Sequence, residues 1–285
     1  MERILEDRHF KVVDYFQQST DVFPSVDIKG GVVITYRDAE MDFGKIGFFS
    51  EYLELKTILQ KVYAHKEFVK GEFGHLISSQ GLYKFTETLF VDYPQALEVQ
   101  GKGTAAKITS NSMENLPEIF LANEPAQKKD YIGMMGRIRN QRAFRWIKKI
   151  YIQPVESLDS YNVFVPEANG TGAIGEVLST PIIGTPIIGH TDTFLSVGKF
   201  DTMLEAENCR KYICSKFART MLGTLKATQH NPRETWANVP MQDFTPESDI
   251  DWYKSVAGID KQLYAKYQLT DKETQFIEQY IKPME

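Results

Sequence analysis

The sequence predicts an α+β protein: mixed sheets with packed helices, closed by a short helical C-terminal tail. Three observations carry this. One strand, one turn and one long helix are legible in the stretch 191–229. Short strand-like pieces, separated by glycine and polar turns, fill much of the chain before it. Two short helical patterns follow Pro246. A chain of 285 residues can bury a real core and suggests one large domain or two.

Taken in order, FKVVDYF (10–16) reads as a strand, Val22 to Val26 turns the chain, and 30–36 reads as a second, more buried strand. Such a hairpin is too small to be stable alone and must pair with something. In 51–63, Leu53, Leu55, Ile58, Leu59 and Val62 fall at helical spacing. From Phe73 to Leu121 the pattern is fragmentary, with strand-like pieces at 76–77, 84–86, 106–108 and 119–121. Tyr161 to Pro166 reads as a strand ended by proline. In the glycine- and proline-rich section after it, Ile182, Ile183, Ile187 and Ile188 are expected to be buried.

The stretch 191–229 is the clearest. Thr193 to Val197 alternates bulky and small residues, as in a half-buried strand, and 198–201 supplies a turn. Asp201 or Thr202 is the expected N-cap, with Glu205 and Glu207 in the first turns. Cys209, Ile213, Phe217, Met221 and Leu225 then recur at helical spacing. A single helix burying Ile213, Phe217 and Met221 is expected, with Arg210, Lys211, Lys216, Arg219 and Lys226 largely turned to solvent or to a polyanion. Residues 238–245 return to an extended form, and Thr270 to Glu273 forms a capping-box pattern before Phe276, Ile277, Tyr280 and Ile281.

Composition narrows the function classes. No apolar run approaches the roughly 18 to 20 residues that span a bilayer, and MERILEDRHFKVVDYF has no apolar signal core. Cys209 and Cys214 lie five apart on a predicted helix and so face different ways. A disulfide is not expected, and a reducing cytoplasm is. A net charge of −5 does not announce a nucleic-acid binder, so that role would need a local patch. Such a patch lies in 128–152: Lys128, Lys129, Arg137, Arg139, Arg142, Arg145, Lys148 and Lys149 stand against one acid, Asp130. Tyr131, Phe144, Trp146 and Tyr151 are interleaved. The run reads either as a solvated helix face or as a surface for phosphates and base edges.

Other motifs carry less. Residues 170–175 (GTGAIG) match the dinucleotide-binding GxGxxG, but Pro181, Gly184, Pro186 and Gly189 follow too closely for the helix it needs, so a turn is expected. Asp42 with Glu54-Leu55-Lys56 loosely matches the core of restriction nucleases, where carboxylates converge on Mg²⁺ beside a lysine. Here that triplet falls in a helical pattern rather than on a strand. The five histidines show no metal-ligand spacing with the cysteines, and His190 is expected to be a hydrogen-bonded loop histidine.

Several stretches look familiar together: Val22 to Val32 (VFPSVDIKGGV), 172–184, His190 to Phe194, Lys216 to Arg219 with Leu225 to Gln229, Val239 to Thr245, and Ser248 to Trp252. They resemble the C-terminal part of single-chain, type IIG-like restriction-modification enzymes that carry an adenine-specific DNA methyltransferase. The resemblance implies a terminal hairpin of the catalytic domain at 1–45, a target-recognition region at 46–245 and a helical tail at 246–285. It implies double-stranded DNA as a partner, with Phe23 stacking on an adenine flipped out of the duplex. By itself Phe23 reads as a buried turn aromatic. The NPPY-type catalytic motif and the methyl-donor loop are not in this sequence, whose one Asn-Pro is Asn231-Pro232. No catalysis and no cofactor are therefore expected for this chain. S-adenosylmethionine, and Mg²⁺ for cleavage, belong to the parent enzyme, whose methyltransferase core is the second implied partner. The alternatives are a Mg²⁺-dependent nuclease fragment built on Asp42, Glu54 and Lys56, and a non-catalytic protein-interaction scaffold.

Overall fold

Two separate hydrophobic cores organise the chain, as seen in a computed structural model that describes residues 2–284 except 17, 27, 29, 30, 51, 101–105, 170–177 and 227. The GTGAIG turn lies outside the described residues. The fold is α+β with mixed sheets, as predicted.

A short helix, α1 (Glu2–Glu6), leads into an antiparallel hairpin of β1 (Phe10–Phe16) and β2 (Val32–Arg37), with a bulge between Val12 and Asp14. Helix α2 (Leu53–Ala64) follows, then three short helices: α3 (Glu87–Asp92), α4 (Ala96–Gln100) and α5 (Ser110–Asn115). A hairpin of β3 (Tyr131–Ile138) and β4 (Gln141–Lys148) precedes β5 (Tyr161–Pro166), β6 (Ile182–Gly184), β7 (Ile188–His190) and β8 (Phe194–Phe200). Four helices complete the described chain: α6 (Met203–Cys214), α7 (Lys216–Gly223), α8 (Val256–Lys266) and α9 (Asp271–Tyr280). One sheet runs β4-β3-β7, with β7 parallel to β3, and another runs β6-β5-β8, all antiparallel.

The larger core joins α2 (Ile58, Val62), β5 (Val163, Val165), β8 (Leu195, Val197) and all four C-terminal helices, through residues such as Phe217, Leu263 and Ile277. The smaller core gathers Phe85, Leu89, Met113 and Phe120 against Ile132, Met134 and Ile147 of the β3–β4 hairpin. His190 is fully buried beside the two cores. Its Nε2 meets Ser196 Oγ at 2.8 Å and its Nδ1 lies 2.9 Å from the Thr191 carbonyl, while Tyr83 and Phe164 present ring faces or edges to it. Burial pushes its pKa down to about 4, so it is a neutral, hydrogen-bonded structural residue.

The structure revises several expectations. The single long helix after β8 is two. Ser215 ends α6 and caps α7 by accepting the Ala218 N–H at 3.0 Å, and the Asp260 carboxylate accepts the N–H groups of Lys216 and Phe217. These bonds satisfy N–H groups that a helix start leaves without partners, and so stabilise a break that the apolar spacing does not announce. Nor does the polar side of this region face a polyanion. Residues Lys216 to Leu222 are all buried, because α8 and α9 cover what the periodicity leaves polar. Lys216 pairs with Glu278, Arg219 donates to the carbonyls of Cys214 and Lys282, and Lys226 donates to Gln229 O and Asn231 Oδ1. Leu225, placed on the apolar stripe, is exposed.

Strand β8 is buried on both sides from Phe194 to Gly198 rather than half-buried. Ile182, Ile183, Ile187 and Ile188 are half-buried, not buried. Of 119–121, only Leu121 pairs, through one bridge to Trp146; Ile77, Lys84, Phe85 and Lys107 likewise form isolated bridges. Strand β2 is the reverse of its expectation. Val33, Ile34 and Tyr36 are exposed, as is Val13 of β1, because the segment that packs on this hairpin covers it only in part, with Phe43 edge-on to Tyr36 and Phe49 edge-on to Tyr15. Both cysteines are free, as expected, and both are buried.

Candidate nucleic-acid interface

The basic run 128–152 is built on the β3–β4 hairpin, with a short 3-10 turn at each end (Lys128–Asp130 and Lys149–Tyr151), and is not a helix face. Its register pairs Ile132 with Ile147, Met134 with Arg145 and Gly136 with Ala143, so these residues share one face. Ile132, Met134 and Ile147 on that face pack into the smaller core. The other face pairs Tyr131 with Lys148, Met135 with Phe144 and Arg137 with Arg142. Period-two alternation over eight residues in each strand makes this a ribbon, and the core on one side fixes its register. Gly133 is required there: a Cβ would come within 2.2 Å of Phe144 Cζ, so the ring covers the glycine and meets Trp146 edge-on at 5.3 Å.

The ribbon turns through Arg139 and Asn140 alone, at φ +48° and +65°. Two left-handed residues define the mirror-type turn whose twist suits a two-residue hairpin, a position that favours Asn-Gly. Arginine in that conformation is uncommon.

The eight cations occupy different environments. Lys128 pairs with Glu124 at 2.8 Å and lies 5.2 Å above the Trp146 ring. Arg142 donates to the Thr180 carbonyl at 2.7 Å. Burial, and then the charge of Arg137 across the strand, lower its pKa. Arg145, half-buried, donates to the Phe144 carbonyl at 2.9 Å. Lys129, Arg137, Arg139, Arg145, Lys148 and Lys149 make no salt bridge among the described residues. Lys129, Arg139, Lys148 and Lys149 are exposed. Beside the tip, an open cleft of about 500 Å³ runs between the hairpin and α5, lined by Arg139, Gln141, Arg142, Arg145, Glu114 and Pro117. The interleaved aromatics do other work. Trp146 and Tyr151 are buried, and Tyr151 donates to Asp92 at 2.8 Å; burial pushes the Tyr151 hydroxyl up to about 12. Sequence reasoning did not mark Gln141. Its signal was there, since RNQ is a polar break between two alternating runs, the pattern of a hairpin tip.

Phe23 is 47% exposed rather than a buried turn aromatic. Buried Ser19 holds its loop: Ser19 Oγ donates to the Val26 carbonyl and accepts the Ile28 N–H, both at 2.8 Å, while the Phe23 N–H donates to Ser19 O at 2.7 Å. The ring thus projects from a loop tied at its base. Asp42 and Glu54 are engaged separately. Hydrogen bonding from Arg8 holds the Asp42 carboxyl below its usual range, and Lys272 does the same for Glu54, which lies on α2. This geometry gives the nuclease alternative no support.

No helix among the described residues is long and apolar enough to cross a membrane. No protein-family model, curated protein or solved structure matches the chain.

Proposed function

We propose that this chain is the sequence-specific DNA-recognition module of a restriction-modification adenine methyltransferase, without catalysis of its own. The observation that carries the reading is Arg137 directly opposite Arg142 on a hairpin whose exposed Arg139 and Lys148, with the adjoining Lys129 and Lys149, make no salt bridge among the described residues. Like charges placed opposite one another across strands are destabilising. Phosphate oxygens relieve that repulsion and form charge-assisted hydrogen bonds. The resemblance supplies the biological setting, and the half-exposed Phe23 on its tied loop suits stacking against an extruded adenine. The partners are duplex DNA and a methyltransferase core that brings S-adenosylmethionine, with Mg²⁺ for cleavage. The exposed Val13, Val33 and Ile34 of the β1–β2 hairpin offer that core an apolar surface. The setting is the cytoplasm.

Equilibrium binding to duplex DNA across a salt series tests this. Affinity is expected to fall linearly on a log–log plot, by roughly 0.9 in slope for each phosphate contacted. Replacing Arg139, Arg142 and Arg145 together by Gln should weaken binding and flatten that slope. No duplex binding by the wild type, or a triple variant with unchanged affinity and slope, would overturn the assignment.

A further inference from the structure

Resting on the duplex-binding reading, we infer that the tip of the β3–β4 hairpin enters the major groove and that Arg139 and Gln141 read base edges there, chiefly those of purines. Four observations converge. First, the turn holds Arg139 at φ +48°, where glycine or asparagine would be less strained. Asn140 at φ +65° already has the side chain that tolerates this region, so it serves the turn. Strain kept at an exposed arginine points to a use for that side chain. Second, neither the Arg139 guanidinium nor the Gln141 amide has a partner among the described residues; the one bond at Arg139 is from its backbone N–H to Glu114 at 3.4 Å. Both side chains are exposed, so binding a base would cost them no existing bond.

Third, the chemistry is that of direct readout. Arginine can donate two parallel bonds to guanine O6 and N7, and glutamine can both donate to and accept from adenine N7 and N6. The minor groove presents a degenerate pattern to the same groups. Fourth, the shape fits. A major groove about 12 Å wide admits a two-stranded β-ribbon such as β3–β4. The cleft between the tip and α5 leaves room for one strand of the duplex, with Arg145 on the same face of the ribbon as the cleft's Ala143 and Gln141, while Arg142 lies on the opposite face and donates to the Thr180 carbonyl. Lys148 and Lys149, at the far end of β4, stand where they can bind phosphate but not the bases at the tip. The hairpin is thereby divided: a reading end and a holding end.

The test is selection from a random-sequence duplex library, followed by salt-dependent binding to the selected site and to a scrambled duplex, using the full chain. Arg139→Lys and Gln141→Ala should each lose preference at one or two base pairs, on the order of 10- to 100-fold. They should keep scrambled-duplex binding within about threefold, with a salt slope reduced by no more than about one. Lys148→Gln/Lys149→Gln should instead weaken both duplexes equally and cut the slope by up to roughly two. Asn140→Gly, which keeps the turn, should retain the wild-type preference and shows whether tip variants act through folding. If the tip variants select the wild-type site with undiminished preference, or if the wild type binds duplexes in a salt-dependent way but selects no site, the tip assignment falls while duplex binding stands. If no duplex is bound at all, both fall.

Discussion

The carboxylate of Asp260, on α8, accepts the backbone N–H of Phe217 at 3.0 Å and so joins the C-terminal helices to the first turn of α7. Oxygen Oδ2 of the same group takes the Lys216 N–H at 3.1 Å. Asp260 is 2% exposed, and burial raises its pKa to about 6 despite these bonds.

A raised carboxyl pKa has a definite sign in stability. Between about pH 4 and 6 the native protein holds a proton that the unfolded chain has lost, so stability falls as pH rises through that window. The cost at neutral pH is about 3 kcal/mol. Asp260→Asn removes this titration while leaving one N–H unsatisfied. Unfolding measured from pH 4 to 7 should show the wild type losing stability relative to the variant as pH rises. Parallel curves would contradict the assignment.

His190 acts in the opposite direction. Its folded pKa of about 4 lies below the ordinary 6.5, so the unfolded chain binds the extra proton between those values. Stability is therefore lost as pH falls from about 6.5 towards 4, by up to about 3 kcal/mol. His190→Gln, which keeps an amide near Ser196, should flatten that acid limb. An unchanged slope would mean that His190 does not titrate as a buried neutral group. Because the two windows overlap, each effect is read as the difference from its own variant.

Arg137→Thr removes one member of a directly opposed like-charge pair and places a β-favouring residue on the strand. The expected gain in stability is a few tenths to about 1 kcal/mol. The same variant should bind duplex DNA more weakly with a shallower salt slope. Loss of stability in denaturant titration would show that Arg137 has a structural partner instead.

Gly133→Ala would drive a Cβ into Phe144 Cζ, and the ring must move because the partner strand cannot. Overpacking of this kind costs typically 1 to 3 kcal/mol. The double variant Gly133→Ala/Phe144→Leu should recover part of that loss. A Gly133→Ala protein with wild-type unfolding behaviour would mean that the ring is not held over the glycine.

Asn140→Gly replaces a residue that tolerates φ +65° with the one that turn favours most. Chemical denaturation should show a gain of a few tenths of a kcal/mol, up to about 1. A loss would place the Asn140 side chain in a contact that the turn needs.

What the sequence by itself determined is the set of local periods. The strand β5, the helix α2, the capping box of α9 and the strand-turn-helix order after Thr191 follow from apolar spacing and capping residues, which act over a few neighbours. It also located the basic run, since clustered charge is visible without a fold. Tertiary structure decided the rest, because burial and pairing depend on what arrives from elsewhere in the chain. The break at Ser215 is stabilised by Asp260, 44 residues ahead of Lys216, and Lys216 and Arg219 are turned inward by helices near the C-terminus. Phe23 and much of β2 stay exposed because the segment packed on their hairpin brings Phe43 to Tyr36 and Phe49 to Tyr15 and leaves Val13, Val33 and Ile34 largely uncovered. The same contacts decide the candidate site: pairing Arg137 with Arg142 and bringing Arg139 to a turn requires the strand register, which the smaller core sets through Ile132 and Ile147.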